Sequence, residues 1–281
     1  MFTKEGGTKD LNLQRIRSRA YDYNKTIVKV YGFGDNKIIK VTLMNCVKSK
    51  DIEIDKNLSS ERGKVNTSKL DENLSRTKNK IFELAYCNKW DYFFTGTLNP
   101  NKHDRTDLEL FHKQLTQFIR DTNKKYNCKI KFLFVPELHS DRKSWHIHGF
   151  LQGVPDNLLS QFKIGDKMGK VIAEKVQNGE IVYNWLDYSK KFGFCDLEPI
   201  KNHEAVSKYI TKYINKELAT SVTELNAHQY YHSRGLQMAT KIKEGSMLWD
   251  NTTPSFQNDY CKIAWIDYSE NALNEILHSF I

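Results

Sequence analysis

The sequence predicts an α+β fold: a central antiparallel sheet with helices packed mainly on one face. Three observations lead there. The composition is globular, with 281 residues of which 39% are hydrophobic and 27% charged. That is enough for one large domain, or for one domain with elements added at each end. Apolar and aromatic runs of strand length then alternate irregularly with helical spacing, in the order strand, helix, strand, strand, loop, strand, strand, helix. This is not the strict alternation of a parallel sheet with crossover helices. Finally, the runs 131–138 and 145–151 are close enough in the chain to form an antiparallel hairpin.

In chain order, residues 1–24 are polar, basic and aperiodic and read as an arm. Residues 26–33 and 37–44 read as two strands turning at Gly34-Asp35. Residues 50–68 are charged and read as a loop. Leu70, Leu74, Ile81, Leu84 and Ala85 fall near helical spacing and predict a helix over 70–88. Tyr92 to Leu98 is a strand stopped by Asn99-Pro100, and a helix over 106–126 carries Leu108, Phe111, Leu115 and Phe118 on its apolar side. After the hairpin come a short helix at 156–163, an exposed Gly- and Lys-rich loop at 164–180, strands at 181–185 and 192–197, and a helix from Asn202 to about Leu218. The chain thus divides into an arm and hairpin (1–68), a core domain (69–222) and a C-terminal extension (223–281).

The net charge of +9 favours a polyanionic partner, because each neutralised phosphate releases counterions. The five cysteines form no Cys-x-x-Cys pair, which argues against a zinc knuckle or a disulfide framework and for a reducing compartment. The N-terminus lacks the apolar stretch of a signal peptide and no run approaches membrane-spanning length, so a cytoplasmic location with no membrane partner is expected.

Two motifs carry chemistry. In Trp145-His146-Ile147-His148-Gly149-Phe150, strand alternation points His146 and His148 the same way, roughly 7 Å apart at Cα, where both can lean onto one ion. If 131–138 and 145–151 pair with Leu138 opposite Trp145, Glu137 faces His146. Two imidazoles and a carboxylate suit Mg²⁺ or Mn²⁺ and leave positions open for phosphate oxygens. His139, at the start of the loop, is the alternative ligand. A one-residue slip in register turns Glu137 away.

The second motif is Tyr209-x-x-Lys212 overlapping Tyr213-x-x-Lys216. On a continuous helix these four side chains form one stripe, and Val206, Ile210 and Ile214 form a second that packs on the sheet. A phenol titrating near 10 is a poor nucleophile unless a cation, a metal or a base favours the phenolate. The lysines supply the cations.

In order and content these motifs resemble the HUH endonuclease superfamily, specifically rolling-circle replication initiators of small phages and plasmids. The family's aromatic, Thr-rich strand is matched by Phe93-Phe94-Thr95-Gly96-Thr97-Leu98, its His-hydrophobe-His by 146–148, and its Tyr-x-x-Lys helix by 209–212 and again by 213–216. The doubled tyrosine is similar to the two-tyrosine subclass. The resemblance spans about residues 70–240, and there is no Walker A pattern of a fused helicase. Tyr230 to Leu236 resembles a Ser-Arg-Gly-Leu segment found after the tyrosine helix in phage-type members.

The resemblance implies a ferredoxin/RRM-like nuclease fold over 69–222 and a metal at His146, His148 and Glu137. It further implies nicking of single-stranded origin DNA by Tyr209 or Tyr213, aided by Lys212 and Lys216. The products are a 5′-phosphotyrosine and a free 3′-OH that primes synthesis, with host polymerase and helicase as partners. Rival readings are a mobilisation relaxase, a single-strand transposase, a water-using metallohydrolase, and a non-catalytic nucleic-acid-binding module in which the aromatic residues stack bases.

Overall fold

A computed structural model describes residues 21–48, 67–224, 228–248, 253–258 and 261–281. The loop expected at 50–68 lies outside the described residues, except that Thr67 already opens a helix. The arm expected over 1–24 likewise lies mostly outside them. Its last residues are a correction: Tyr21, Asp22 and Tyr23 pair with Lys48, Val47 and Cys46 and begin the first strand.

In chain order the elements are β1 (Tyr21–Phe33), β2 (Asn36–Lys48), α1 (Thr67–Tyr86), β3 (Tyr92–Thr97), α2 (Leu108–Tyr126), β4 (Lys131–Leu138) and β5 (Trp145–Gln152). A 3₁₀ turn at Asp156–Leu158 leads to β6 (Leu159–Gln161), α3 (Lys170–Gln177), β7 (Tyr183–Trp185), α4 (Leu186–Lys191) and β8 (Cys195–Pro199). Next come α5 (His203–Tyr209), a 3₁₀ turn at Ile210–Tyr213, α6 (Lys216–Glu224) and β9 (Tyr231–His232). The chain closes with β10 (Thr240–Gly245), β11 (Phe256–Gln257), β12 (Cys261–Asp267) and α7 (Glu270–His278). The chain divides into two compact units, residues 60–237 and residues 1–59 with 238–281.

The unit of residues 60–237 is built on an antiparallel sheet of order β6-β7-β8-β3-β5-β4-β9. The expected α+β architecture is present. On the sheet face formed by Phe94, Phe134, Ile147 and Leu197 lie α2 and α4: Tyr188 of α4 packs edge-on to Phe94, and Phe118 of α2 meets both Trp185 and Tyr188. Fully burying side chains of this size is worth roughly 1.5–3 kcal/mol each, which makes this face the main anchor of the unit. A second helical group, α1 with α5 and α6, partly covers the other face: Tyr213 stacks on His148 and Trp90, just after α1, stacks on Phe150. Gly149 permits the tight β4–β5 approach, since a Cβ there would lie 2.0 Å from the Leu133 carbonyl oxygen.

Four local expectations are corrected. The exposed loop at 164–180 contains α3, because Ile172 and Val176 at i, i+4 join Phe162 and Val182 in a small cluster of their own. The strand expected at 192–197 starts at Cys195; the preceding residues form α4, and Gly193 turns the chain at φ +143 where a Cβ would collide with the Asn99 backbone. The helix expected at 156–163 is one 3₁₀ turn followed by β6. The helix expected from 202 to 218 is broken after Tyr213. Asn215 explains the break: its side chain accepts from Leu218 N at 2.8 Å and so starts a new helix.

In the other unit, β1 and β2 form the expected hairpin around Gly34-Asp35, and β10 and β12 flank it in a sheet of order β10-β1-β2-β12-β11. Val28, Ile39, Val41, Ala264 and Ile276 of α7 make its core. Strands from both ends of the chain therefore share one sheet.

Candidate active site

Strand pairing alone assembles the imidazole cluster. β5 places His146 and His148 on the sheet face opposite Ile147, and β4 pairs in the register that sets Glu137 opposite His146 and Leu138 opposite Trp145. On the other side, β3 sets Thr97 opposite His146 and Thr95 opposite His148. Both threonine hydroxyls reach the Nδ1 atoms: Thr97 Oγ1 lies 2.9 Å from His146 Nδ1, and Thr95 Oγ1 lies 3.4 Å from His148 Nδ1. Each ring thus turns its Nε2 away from β3. His148 Nε2 meets Glu137 Oε2 at 2.7 Å, whereas His146 Nε2 is buried without a hydrogen-bond partner.

Among the described residues, no three His, Cys, Asp or Glu side chains are gathered closely enough to hold a metal ion as they stand. Glu137 leans diagonally onto His148 and leaves His146 alone. His139 stacks on His146 with ring centroids 4.8 Å apart, so it belongs to the same row of rings, His139, His146, His148 and Tyr213.

Charge follows from these contacts. Burial pushes the His146 imidazole down to about 4, and neighbouring His139, His148 and Arg105 push it further the same way. The ring is therefore neutral at pH 7, the state in which imidazole is a ligand. Burial raises Glu137, but its hydrogen bond to His148 outweighs this and the net effect is a lowered value.

The tyrosines sit over this row. α5 begins at Asn202, whose side chain accepts from Ala205 N at 2.9 Å, and His203 Nε2 lies 3.1 Å from the Tyr86 carbonyl oxygen, fixing α5 to the end of α1. His203 is therefore a structural contact. One turn later the helix tightens to 3₁₀, with Thr211 Oγ1 donating to Lys208 O at 2.7 Å. Tyr213 is 5% exposed and lies face to face with His148 at 4.3 Å and 8°. Tyr209 is 46% exposed and packs edge-on to Phe93.

The Lys212 ammonium donates to Tyr209 Oη and lies 3.8 Å from the Tyr209 ring centroid and 4.6 Å from that of Tyr213. Tyr213 Oη donates to Tyr209 Oη at 3.3 Å. Partial burial would raise the Tyr209 phenol, but the bonds from Lys212 and Tyr213 prevail and leave it below its ordinary value. Tyr213 is driven the other way, by burial first and then by its bond to Tyr209 and the charges of Glu137 and Asp196.

Tyr209, Tyr213 and Lys212 are thus brought together, and so are His146, His148 and Glu137. Lys216 is not on the same helix, because it opens α6 beyond the break; its side chain lies outside the described residues.

Three residues of this face carry no assignment from the sequence. Thr95 and Thr97 are visible there as part of the Thr-Gly-Thr run, and their alternate spacing in a strand beside the histidines is the available signal. Asp196 of β8 pairs with Thr95 across the sheet and is 4% exposed. Burial and then Glu198 raise its carboxyl to about 7, against the opposing pull of Lys175 and a hydrogen bond from Thr95. No spacing rule links Asp196 to the other motifs, so only the strand order reveals it.

This face, with its strand histidines and downstream tyrosines, coincides with a known family pattern. Residues 91–218 match the family model of the ORF2-type replication-associated protein. The matched stretch contains every site residue named above and is consistent with a rolling-circle replication initiator. No curated protein and no solved structure matches the chain. The segment Tyr230 to Leu236 lies beyond the matched stretch, and its role here is structural. Tyr231 and His232 extend the sheet beside β4, Tyr231 stacks on His112 at 3.7 Å, and Ser233 Oγ accepts from Phe132 N. None of the described helices is long and apolar enough to cross a membrane.

Proposed function

We propose that this chain initiates replication by nicking single-stranded DNA with a tyrosine, leaving the 5′-phosphate on the protein and a free 3′-OH. The carrying observation is the contact of two tyrosine hydroxyls with each other and with Lys212, above His148 and Glu137. The match to the replication-associated protein family supports the replication role.

The donor set fits a divalent ion. His146 Nε2 is a buried, neutral and unpartnered donor. With Nδ1 of each ring tied to a threonine, Nε2 is the coordinating atom, the second-shell pattern common to histidine ligands. Between His148 Nε2 and Glu137 a proton holds the pair together, and a divalent ion taken up there would replace it. Mg²⁺ or Mn²⁺ held by His146, His148 and Glu137 would act as a Lewis acid on the phosphate's non-bridging oxygens.

Tyr209 is the first nucleophile in this reading. Its oxygen is exposed and accepts two hydrogen bonds, both of which stabilise the phenolate. Attack forms the P–O(Tyr209) bond and breaks the P–O3′ bond; one proton leaves the phenol and one is taken up by the 3′ oxygen. Tyr213, whose hydroxyl already touches that of Tyr209, is placed to act on the same phosphate position in a second transfer. DNA of the origin is the substrate, and a host polymerase and helicase are the partners that a free 3′ end requires. Cytoplasmic action follows from that chemistry.

The test incubates the protein with Mn²⁺ and labelled single-stranded oligonucleotides covering its own gene and flanks, followed by denaturing gels. A label shifted to protein size, absent with chelator and in the Tyr209→Phe/Tyr213→Phe double variant, supports the reading. Cleavage without an adduct would assign the attack to water and exclude it.

A further inference from the structure

Beside Tyr209 lies a cavity of about 430 Å³ that the nicking chemistry does not use. Phe93 of β3 forms one wall, Ile181, Ile200 and Val206 supply apolar surface, and Tyr209 itself stands at the edge. Four charged side chains complete the lining, and they are matched in pairs. Lys175 of α3 is in direct contact with Glu198 of β8, and Lys201 Nζ lies 4.0 Å from Glu180.

The pairing decides what fits. A phosphate site offers donors in excess of acceptors, and here two carboxylates cancel the two ammonium groups. The volume is that of a small-molecule site, lined mainly by apolar groups with a few convergent polar ones. The matching occupant is flat and uncharged, with apolar faces and an edge that both donates and accepts, which describes a nucleobase. Aromatic and apolar walls take the base faces, and the Lys175–Glu198 pair presents a donor and an acceptor side by side.

We infer that this cavity binds one base of the DNA strand next to the scissile phosphate, unstacked from its neighbours, with Glu198 and Lys175 reading its edge. The strand's identity rests on the nicking reading; the cavity's preference for a base does not. Tyr209 links the two sites, since it borders the cavity and its hydroxyl meets Lys212 and Tyr213. A nucleotide joined to Tyr209 therefore has its base or its neighbour's base within reach of Glu198. On this view α3 exists to bring Lys175 to the sheet edge.

The full chain is given a pool of single-stranded oligonucleotides with randomised positions, in two arms. With Mn²⁺, covalent adducts are isolated and the joined strands sequenced; without metal, the bound fraction is captured on filters and sequenced. Wild type, Glu198→Gln and Ile181→Trp are compared, the last filling the cavity from its exposed rim. The expected result is a strong base preference at one position flanking the joined nucleotide. Glu198→Gln changes it about tenfold, the scale of one lost base-edge contact, and Ile181→Trp flattens it, while other positions keep their profile. Identical profiles for all three proteins would overturn the inference. If wild type gives no adduct, the nicking reading fails and the filter arm decides alone: a preference altered in Glu198→Gln upholds the base site, and unaltered profiles reject it.

Discussion

Tyr213 Oη donates a hydrogen bond to Tyr209 Oη across 3.3 Å, although one phenol is buried on His148 and the other is exposed. The two tyrosines are therefore unequal partners in one network. The donor's proton stabilises a negative charge on the acceptor, so the network favours the Tyr209 phenolate at the expense of the Tyr213 phenolate.

The inequality has a direct kinetic consequence. Tyr209→Phe is expected to reduce single-turnover cleavage of a fresh strand by on the order of 10⁴-fold or more, as for other removed nucleophiles. Tyr213→Phe removes one hydrogen bond to Tyr209 and is expected to cost about tenfold in the same assay. It should nevertheless abolish rejoining by a second transfer. Equal losses in first cleavage would show that the tyrosines are interchangeable.

Lys212 is expected to act through the Tyr209 phenol. Its hydrogen bond and charge lower that pKa, so Lys212→Met should move the acidic limb of the pH–rate profile to higher pH. Lys212→Arg should restore part of the shift. A profile that only scales down, without moving, would place Lys212 on the DNA rather than on the phenol.

Thr97→Val leaves both imidazoles in place but unties His146 Nδ1. Losing such a second-shell contact should weaken divalent-ion affinity roughly 10- to 100-fold. Isothermal titration with Mn²⁺ measures this directly, and unchanged affinity would separate the threonine from metal binding.

Two buried groups give the stability opposite pH dependences. His146 is depressed to about 4 in the folded chain, so the unfolded chain takes up the proton first. Its contribution is present above an ordinary histidine value of about 6.5 and is lost as pH falls towards 4. Asp196 is raised to about 7, so its contribution is present below an ordinary carboxylate value and is lost as pH rises through 7. Asp196→Asn should therefore stabilise the metal-free protein at pH 8 relative to wild type and have little effect near pH 4. Urea unfolding at the two pH values checks the sign, and destabilisation at pH 8 would contradict it.

Much of the site is legible in the sequence because it depends on period-two alternation. The Glu137–His146 register and the shared face of His146 and His148 need only the hairpin and the pleat. The helix through Tyr209 reads as continuous because apolar spacing does run through Ile210 and Ile214. Asn215, an N-cap residue inside that spacing, is the stop signal that the spacing hides. Glu137's choice of His148 over His146 depends on rotamers, which alternation does not fix. Asp196 and Lys175 join the site through the order of β7, β8 and β3, information that no local motif contains.

The most direct measurement is mass spectrometry of the covalent adduct. Trypsin cuts after Lys208, Lys212 and Lys216 and so releases Tyr209-Ile-Thr-Lys212 and Tyr213-Ile-Asn-Lys216 as separate peptides of different mass. After reaction with a single-stranded oligonucleotide and nuclease trimming, the expected result is a nucleotide on the Tyr209 peptide. Cleaved DNA with no nucleotide on either peptide would contradict tyrosine attack.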